Sequence, residues 1–128
     1  MKKFAAISLA SLLVFGSAQT ALAKVIPYNL STQGNLDITD SGDKYIVTSY
    51  GETSNVITVS DGVKTYIVLK GVTIETTDVN GISIDENADV VLELSGDNNI
   101  TVNSSEESDY KDTAKAGINV AEGTLTIK

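Results

Sequence analysis

The sequence predicts an all-β chain wound as a parallel β-solenoid of about four rungs. Three observations carry that expectation. From about Leu30 onward no helical period appears, and short alternating segments rich in Val, Ile and Thr recur between clusters of Gly, Asn, Asp and Ser, which is the pattern of strands and turns. The segments also repeat in register at a spacing of about 21 to 25 residues, with one longer step. Finally, the repeats align apolar residue on apolar residue. A unit this short, made only of strands, cannot bury its own apolar side, so successive copies must stack.

The self-similarity is specific. Thr39 to Val47 lies over Ser60 to Val68 at an offset of 21, and Ile57 to Asp61 lies over Ile82 to Glu86 at an offset of 25. The second register also carries Ile67, Leu69 and Gly71 onto Leu92, Leu94 and Gly96. Asn80 to Ile84 returns as Ala116 to Val120 at an offset of 36. The rival architecture is an antiparallel β-sandwich, which is also built from short strands and frequent turns.

Met1-Lys2-Lys3, the apolar run Ala5 to Phe15 and the closing Ala21-Leu22-Ala23 form a secretory signal peptide over residues 1–23. The apolar core is too short to span a bilayer, which needs about 20 residues, so no membrane span is expected after cleavage. Residues 24–34 form an N-terminal lead-in or cap, and residues 35–128 the solenoid. Alternation assigns three inward ladders. Leu36 with Ile38, Ile57 with Val59, Ile82 with Ile84 and Ile118 with Val120 make the first, with Asp37, Thr58, Ser83 and Asn119 facing outward. Ile46, Ile67 with Leu69, and Leu92 with Leu94 make the second; Val72 with Ile74 and Ile100 with Val102 make the third. A polar insertion, Asn103 to Lys115, accounts for the long step and carries Glu106, Glu107, Asp109 and Asp112. The chain stops in Thr124 to Lys128 in mid-strand. The expectation is a solenoid incomplete at its C-terminus, or one capped by another chain, because an open edge is a template for further pairing.

Composition narrows the chemistry. Nine Lys, no Arg, 17 acidic residues and no His, Cys or Trp give a net charge of −8. Loss of Lys2 and Lys3 with the signal peptide takes this to −10, seven Lys against 17 acids. Thiolate chemistry, Ser-His-Asp or Cys-His catalysis, the usual zinc sites and disulfides are excluded. Nucleic acid is excluded as a partner by the acidic balance. Oxygen ligands remain, which suit hard cations and sugar hydroxyls. The chain is expected to be secreted or on a bacterial cell surface.

The repeat stacks Asp40, Asp61, Glu86 and Glu122 in equivalent turns, with neighbours about 4.8 Å apart. Carboxylates at that spacing splay into water or hold a divalent cation between them, and Ca²⁺ takes six to eight oxygens. Asp85, Asn87 and Asp89 add oxygen ligands beside Glu86. Their D-x-N-x-D spacing starts like an EF-hand loop, but Val90 stands at the glycine position and Gly96 at that of the bidentate Glu, so an EF-hand is excluded. Tyr45, Val47, Tyr66, Val68 and Val91 are expected on the outside of the second sheet as an apolar strip. Tyr45 and Tyr66 there could stack on sugar rings, or Pro27 to Leu30 or further chain could cover the strip. Asn80, Asn98 and Asn99 read as turn formers.

The segments Asp43 to Val47, Ile57-Thr58-Val59, Leu69 to Ile74, Asn80 to Ile84, Leu92 to Ile100, Ala116 to Val120 and Gly123 to Ile127 follow an order that resembles the N-terminal part of the secreted clostridial-type carbohydrate-binding domain family. The resemblance implies a right-handed parallel β-helix, similar to pectate lyases, that binds calcium and acidic or cellulosic polysaccharide without cleaving it. Polyuronate lyases use a cationic base, usually Arg, which is absent; Lys64 or Lys70 would need a lowered pKa, against an acidic surface. Glycosidases need two carboxylates about 5 to 9.5 Å apart, which stacked turns could supply, so glycosidase chemistry stays as a lesser alternative. The expectation is a non-catalytic polysaccharide-binding protein, with calcium as cofactor. The alternative is a surface adhesin or structural module that binds protein, or associates with itself through the open solenoid end.

Overall fold

The computed structural model describes residues 23–105 and 115–128. The signal peptide expected over 1–23 therefore lies, apart from Ala23, outside the described residues, as do Glu106, Glu107, Asp109 and Asp112 of the insertion. The described chain is all-β with one short helix: β1 Val25–Asn29, α1 Leu30–Gln33, β2 Leu36–Ile38, β3 Lys44–Thr48, β4 Glu52–Thr53, β5 Ile57–Val59, β6 Lys64–Lys70, β7 Thr73–Thr77, β8 Ile82–Ile84, β9 Asp89–Ser95, β10 Asn99–Asn103, β11 Ile118–Val120 and β12 Thr124–Ile127. These strands form a five-stranded sheet in the order β1-β3-β6-β9-β12, a four-stranded sheet β11-β8-β5-β2 and a three-stranded sheet β10-β7-β4. From β2 onward the chain visits the four-, five- and three-stranded sheets in that unchanging order. Every registered strand pair among the described residues is parallel, which excludes the antiparallel sandwich. No helix among the described residues is long and apolar enough to cross a membrane.

Period-2 alternation fills the interior. In the four-stranded sheet Leu36, Ile57 and Ile82 stack in register, as do Ile38, Val59 and Ile84, at the offsets of 21 and 25 that the repeat predicts. All six are buried. Ile118 and Val120 continue the two stacks in register at the predicted offset of 36, but at the end of the stack Ile118 is half-buried and Val120 is 38 % exposed rather than enclosed as expected. Val72 and Ile74 are buried from the three-stranded sheet, and Ile100 lies in register beside Ile74.

One register differs from the expectation. Tyr45 pairs with Ile67 and Val47 with Leu69, an offset of 22 where the repeat suggested 21. The path from Val59 to Tyr66 is one residue longer than that from Ile38 to Lys44, and the extra residue is absorbed in the turn before β6. A slip of one residue sends every side chain to the opposite face. Tyr45 and Val47 therefore point inward and belong to the core, while Ile46 faces outward, half-buried. Ile67, Leu69 and Leu92 are inward as expected.

Side-chain oxygens at the turns accept backbone N–H groups of the neighbouring coil and so join the layers: Val56 N to Asn35 Oδ1 at 2.9 Å, Lys64 N to Ser41 Oγ at 2.9 Å, Thr73 N to Ser49 Oγ at 3.1 Å and Val72 N to Asn98 Oδ1 at 2.7 Å. The two ends of the stack differ. At the β1, β2 and β4 end α1 is capped by the Asn29 side chain, which accepts from Ser31 N, and inserts Leu30 into the core at 0 % exposure. Asn55 Nδ2 holds the Leu30 carbonyl at 2.8 Å. At the β10, β11 and β12 end the interior opens as an apolar cavity of about 280 Å³ between Leu69, Leu92, Leu94, Ile100, Ile118 and Ile127. There Leu94 is 48 % and Ile127 55 % exposed.

Candidate functional site

The turn carboxylates come together only in part. Asp40 and Asp61 follow strands paired at an offset of 21, so they occupy equivalent turn positions, both exposed. Asp61, Asp85 and Glu86 border a polar cleft of about 390 Å³ together with Ala121. Asn87 Nδ2 donates to Asp61 Oδ1 at 3.1 Å. Glu122 is not stacked on Glu86. Between β11 and β12 the turn has one residue fewer than between β8 and β9, and the Asn87 amide donates to the Glu122 carbonyl at 3.3 Å. Asn87 and Glu122 share the left-handed conformation, with φ of 59° and 56°, in line with Gly62 one coil earlier at 74°. The shorter turn is closed by Gly123, where a Cβ would come within 2.9 Å of the carbonyls of Ala88 and Asp85. Asp89 begins β9 and sits opposite Lys64 on the five-stranded sheet, and it does not line the cleft of Asp61, Asp85 and Glu86. Among the described residues no three acidic side chains gather closely enough to hold a metal ion.

The two tyrosines expected on one outer strip lie on opposite faces. Tyr45 is a core residue at 8 % exposure, and burial, followed by the nearby charges of Asp43 and Asp40, raises its pKa. The expectation of a stacking platform formed by Tyr45 and Tyr66 is corrected by the register of β3 on β6. Tyr66 does face outward, yet it is also 8 % exposed. Its hydroxyl donates to the Glu93 carboxylate, which, with burial and the Glu93 charge, raises its pKa. The Lys44 Nζ lies 4.6 Å and the Lys128 Nζ 5.8 Å from the ring centroid, within cation–π range. β1 does not lie across this strip; it extends the sheet beside β3.

Around Tyr66 the sheet gathers residues that the sequence repeat does not connect. The strand register places Lys44 beside Tyr66, Lys64 beside Asp89 and Lys70 beside Ser95, all on the outward parity of Tyr66. Lys128 continues β12 next to Glu93, its amide donating to the Leu92 carbonyl at 2.9 Å. Four of the nine lysines thus share one face, against two carboxylates, Asp89 and Glu93. The face carries +2 on a chain of −8. The alternation Lys64, Tyr66, Val68, Lys70 within β6 was the readable part of this signal; Lys44 and Lys128 reach it only through strand pairing.

The other outer faces are neutral or acidic. The four-stranded sheet presents Asp37, Thr58, Ser83 and Asn119, in register. The three-stranded sheet presents Glu52, Thr73, Glu75, Thr77, Asn99, Thr101 and Asn103. There Asn103 Nδ2 donates to Glu75 Oε1 at 3.2 Å. The side-chain hydrogen bond and the charge of Glu75 raise the pKa of the exposed Glu52. Protonation of Glu52 is easier in the folded chain than in the unfolded one, so its stabilising contribution is present at low pH and is lost as pH rises through the raised folded value. Glu52→Gln is expected to raise the melting temperature slightly at pH 7 and to leave it unchanged at pH 3. An equal shift at both pH values in thermal scans would remove the carboxyl pair as its cause.

Together these features define an all-β protein of parallel sheets with one cationic, tyrosine-centred sheet face. Compared with protein-family models, curated proteins and solved structures, the chain matches none.

Proposed function

We propose that the chain is an exported, right-handed parallel β-helix of about four rungs that binds polysaccharide on the outer face of its five-stranded sheet and does not cleave it. The observation that supports this reading most directly is the segregation of Lys44, Lys64, Lys70 and Lys128 around Tyr66 on a chain whose other described sheet faces carry no lysine. A cationic face with Glu93 and Thr126 among its lysines offers ion pairs to acidic substituents and hydrogen bonds to hydroxyls. Tyr66 positions Lys44 and Lys128 through its ring. The calcium part of the proposal is drawn from the oxygen-ligand chemistry of Asp61, Asp85 and Glu86, which line one cleft without gathering into a three-carboxylate metal group.

Acidic and neutral polysaccharides presented to the chain from Lys24 onward test the reading. Retention is expected on acidic polymers and is expected to fall between about 0.15 M and 1 M salt, where the Debye length shrinks from about 8 Å to about 3 Å. Replacing the four lysines with Gln is expected to weaken binding by about tenfold or more, at a fraction of a kcal/mol for each exposed ion pair. Undiminished retention by the fourfold variant would place the ligand elsewhere. A chelator is expected to reduce retention; binding indifferent to chelator removes calcium and leaves the lysine face standing. Shortened or unsaturated products would reverse the non-catalytic assignment.

A second reading is favoured by the open apolar cavity at the β10, β11 and β12 end: a surface module that associates with itself or with protein there. Concentration-dependent assembly in sedimentation, without saccharide retention, supports it over the first.

A further inference from the structure

The turn Asp78-Val79-Asn80-Gly81, between β7 and β8, fastens the chain on both sides of residues 106–114. Asp78 Oδ1 accepts from the Ser105 amide at 3.1 Å. Asn80 Oδ1 accepts from the Ala116 amide at 2.8 Å, and the Gly81 amide donates to the Ala116 carbonyl at 3.3 Å. The Asn80 amide group is held at its other end as well, with Nδ2 donating to Ser83 Oγ at 3.3 Å. Position 81 is closed to any side chain, since a Cβ there would collide with Ile100 Cγ2 and come within 2.8 Å of the Gly117 carbonyl oxygen. Two separate demands, a side-chain acceptor for Ala116 and a residue without Cβ, therefore set asparagine directly before glycine. Asparagine is among the thermolabile residues, and the unhindered glycine nitrogen makes this pair the most reactive arrangement of it.

We infer that Asn80 is a latent self-modification site, deamidating through the Gly81 nitrogen, and that the native turn holds the reaction back. The Gly81 nitrogen bonds to Asn80 Cγ as the Cγ–Nδ2 bond breaks. The Gly81 proton leaves with the departing ammonia. Water then opens the five-membered ring at either carbonyl, leaving aspartate or isoaspartate at position 80, with no change of oxidation state. In the native turn the nucleophilic nitrogen is engaged with the Ala116 carbonyl, and the carboxamide is held at both ends. Attack requires the turn to part from Ala116, a local opening rather than global unfolding. An isoaspartate lengthens the main chain by one methylene immediately before Gly81, where the packing leaves no room, so the opened arrangement cannot reclose. The isoaspartate product converts a reversible opening beside β11 into a permanent one, whereas the aspartate product keeps the main chain and an acceptor for the Ala116 amide.

The test compares deamidation of the whole protein in native buffer and in concentrated urea at one pH, by intact mass, peptide mapping and isoaspartate detection. Asn80 is expected to be the main site in urea, and to react at least about tenfold more slowly in native buffer, since the rate follows the population of the open form. Asn80→Gln in urea is expected to remove most of the deamidation mass shift, with any isoaspartate at Asp61-Gly62 told apart by peptide mapping and its unchanged mass. Equal rates in the two solvents overturn the inference, as does a urea reaction that falls mainly on another asparagine.

Discussion

Tyr45→Ala is expected to destabilise the protein by about 3–5 kcal/mol, whereas Ile46→Ala, its neighbour in the same strand, is expected to cost about 1 kcal/mol. The contrast follows from the register of β3 on β6. Tyr45 packs in the interior among buried residues and stands beside Ile67, while Ile46 lies half-buried on the outer face beside Val68. Removing a large inward side chain loses its transfer free energy and leaves a cavity that the neighbouring coils, tied by their own ladders, close only partly. With a total stability of about 5–15 kcal/mol expected for a domain, the first variant approaches the unfolding threshold. Urea midpoints at constant slope measure both. The reverse ranking would restore the offset of 21 and put Tyr45 back on the outer strip.

Gly81→Ala is expected to cost about 2–3 kcal/mol, the range of an overpacked core. Glycine-to-alanine changes ordinarily stabilise by about 0.4–1 kcal/mol, because the unfolded chain loses freedom. Here the new methyl meets a branched methyl of Ile100 and the backbone oxygen of Gly117, and neither is the free end of a flexible side chain. Either β8 and β11 separate or β10 moves outward. Combining the change with Ile100→Ala is expected to cost less than the sum of the two single variants, because the space removed at one site is the space added at the other. Strict additivity in the double-mutant cycle would show that the strain lies elsewhere.

Much of the fold was legible in the repeat. The four-stranded sheet follows the residue pairs that the offsets of 21, 25 and 36 assign, since Leu36, Ile57, Ile82 and Ile118 must all face one interior and a slip would expose them all together. Of the functional candidates, Asp40 and Asp61 keep their equivalent turns, and Asp85 and Glu86 meet Asp61 across one cleft. Glu122 and Tyr45 do not keep their expected partners. In both cases a turn differs in length by a single residue, and such a difference leaves composition and periodicity untouched.

The amino-acid order by itself determined the strand repeat, most of the aliphatic ladders and the acidic, oxygen-only chemistry, because strand alternation and side-chain type are local properties that repeat wherever the pattern repeats; the parallel strand pairs removed the rival sandwich. The tertiary structure alone decided which residues share an outer face. Lys44, Tyr66 and Glu93 come from three different strands and Lys128 directly follows a fourth, and whether they meet depends on how many residues each intervening turn absorbs. In a stacked sheet that count fixes both the register and the side to which a residue points.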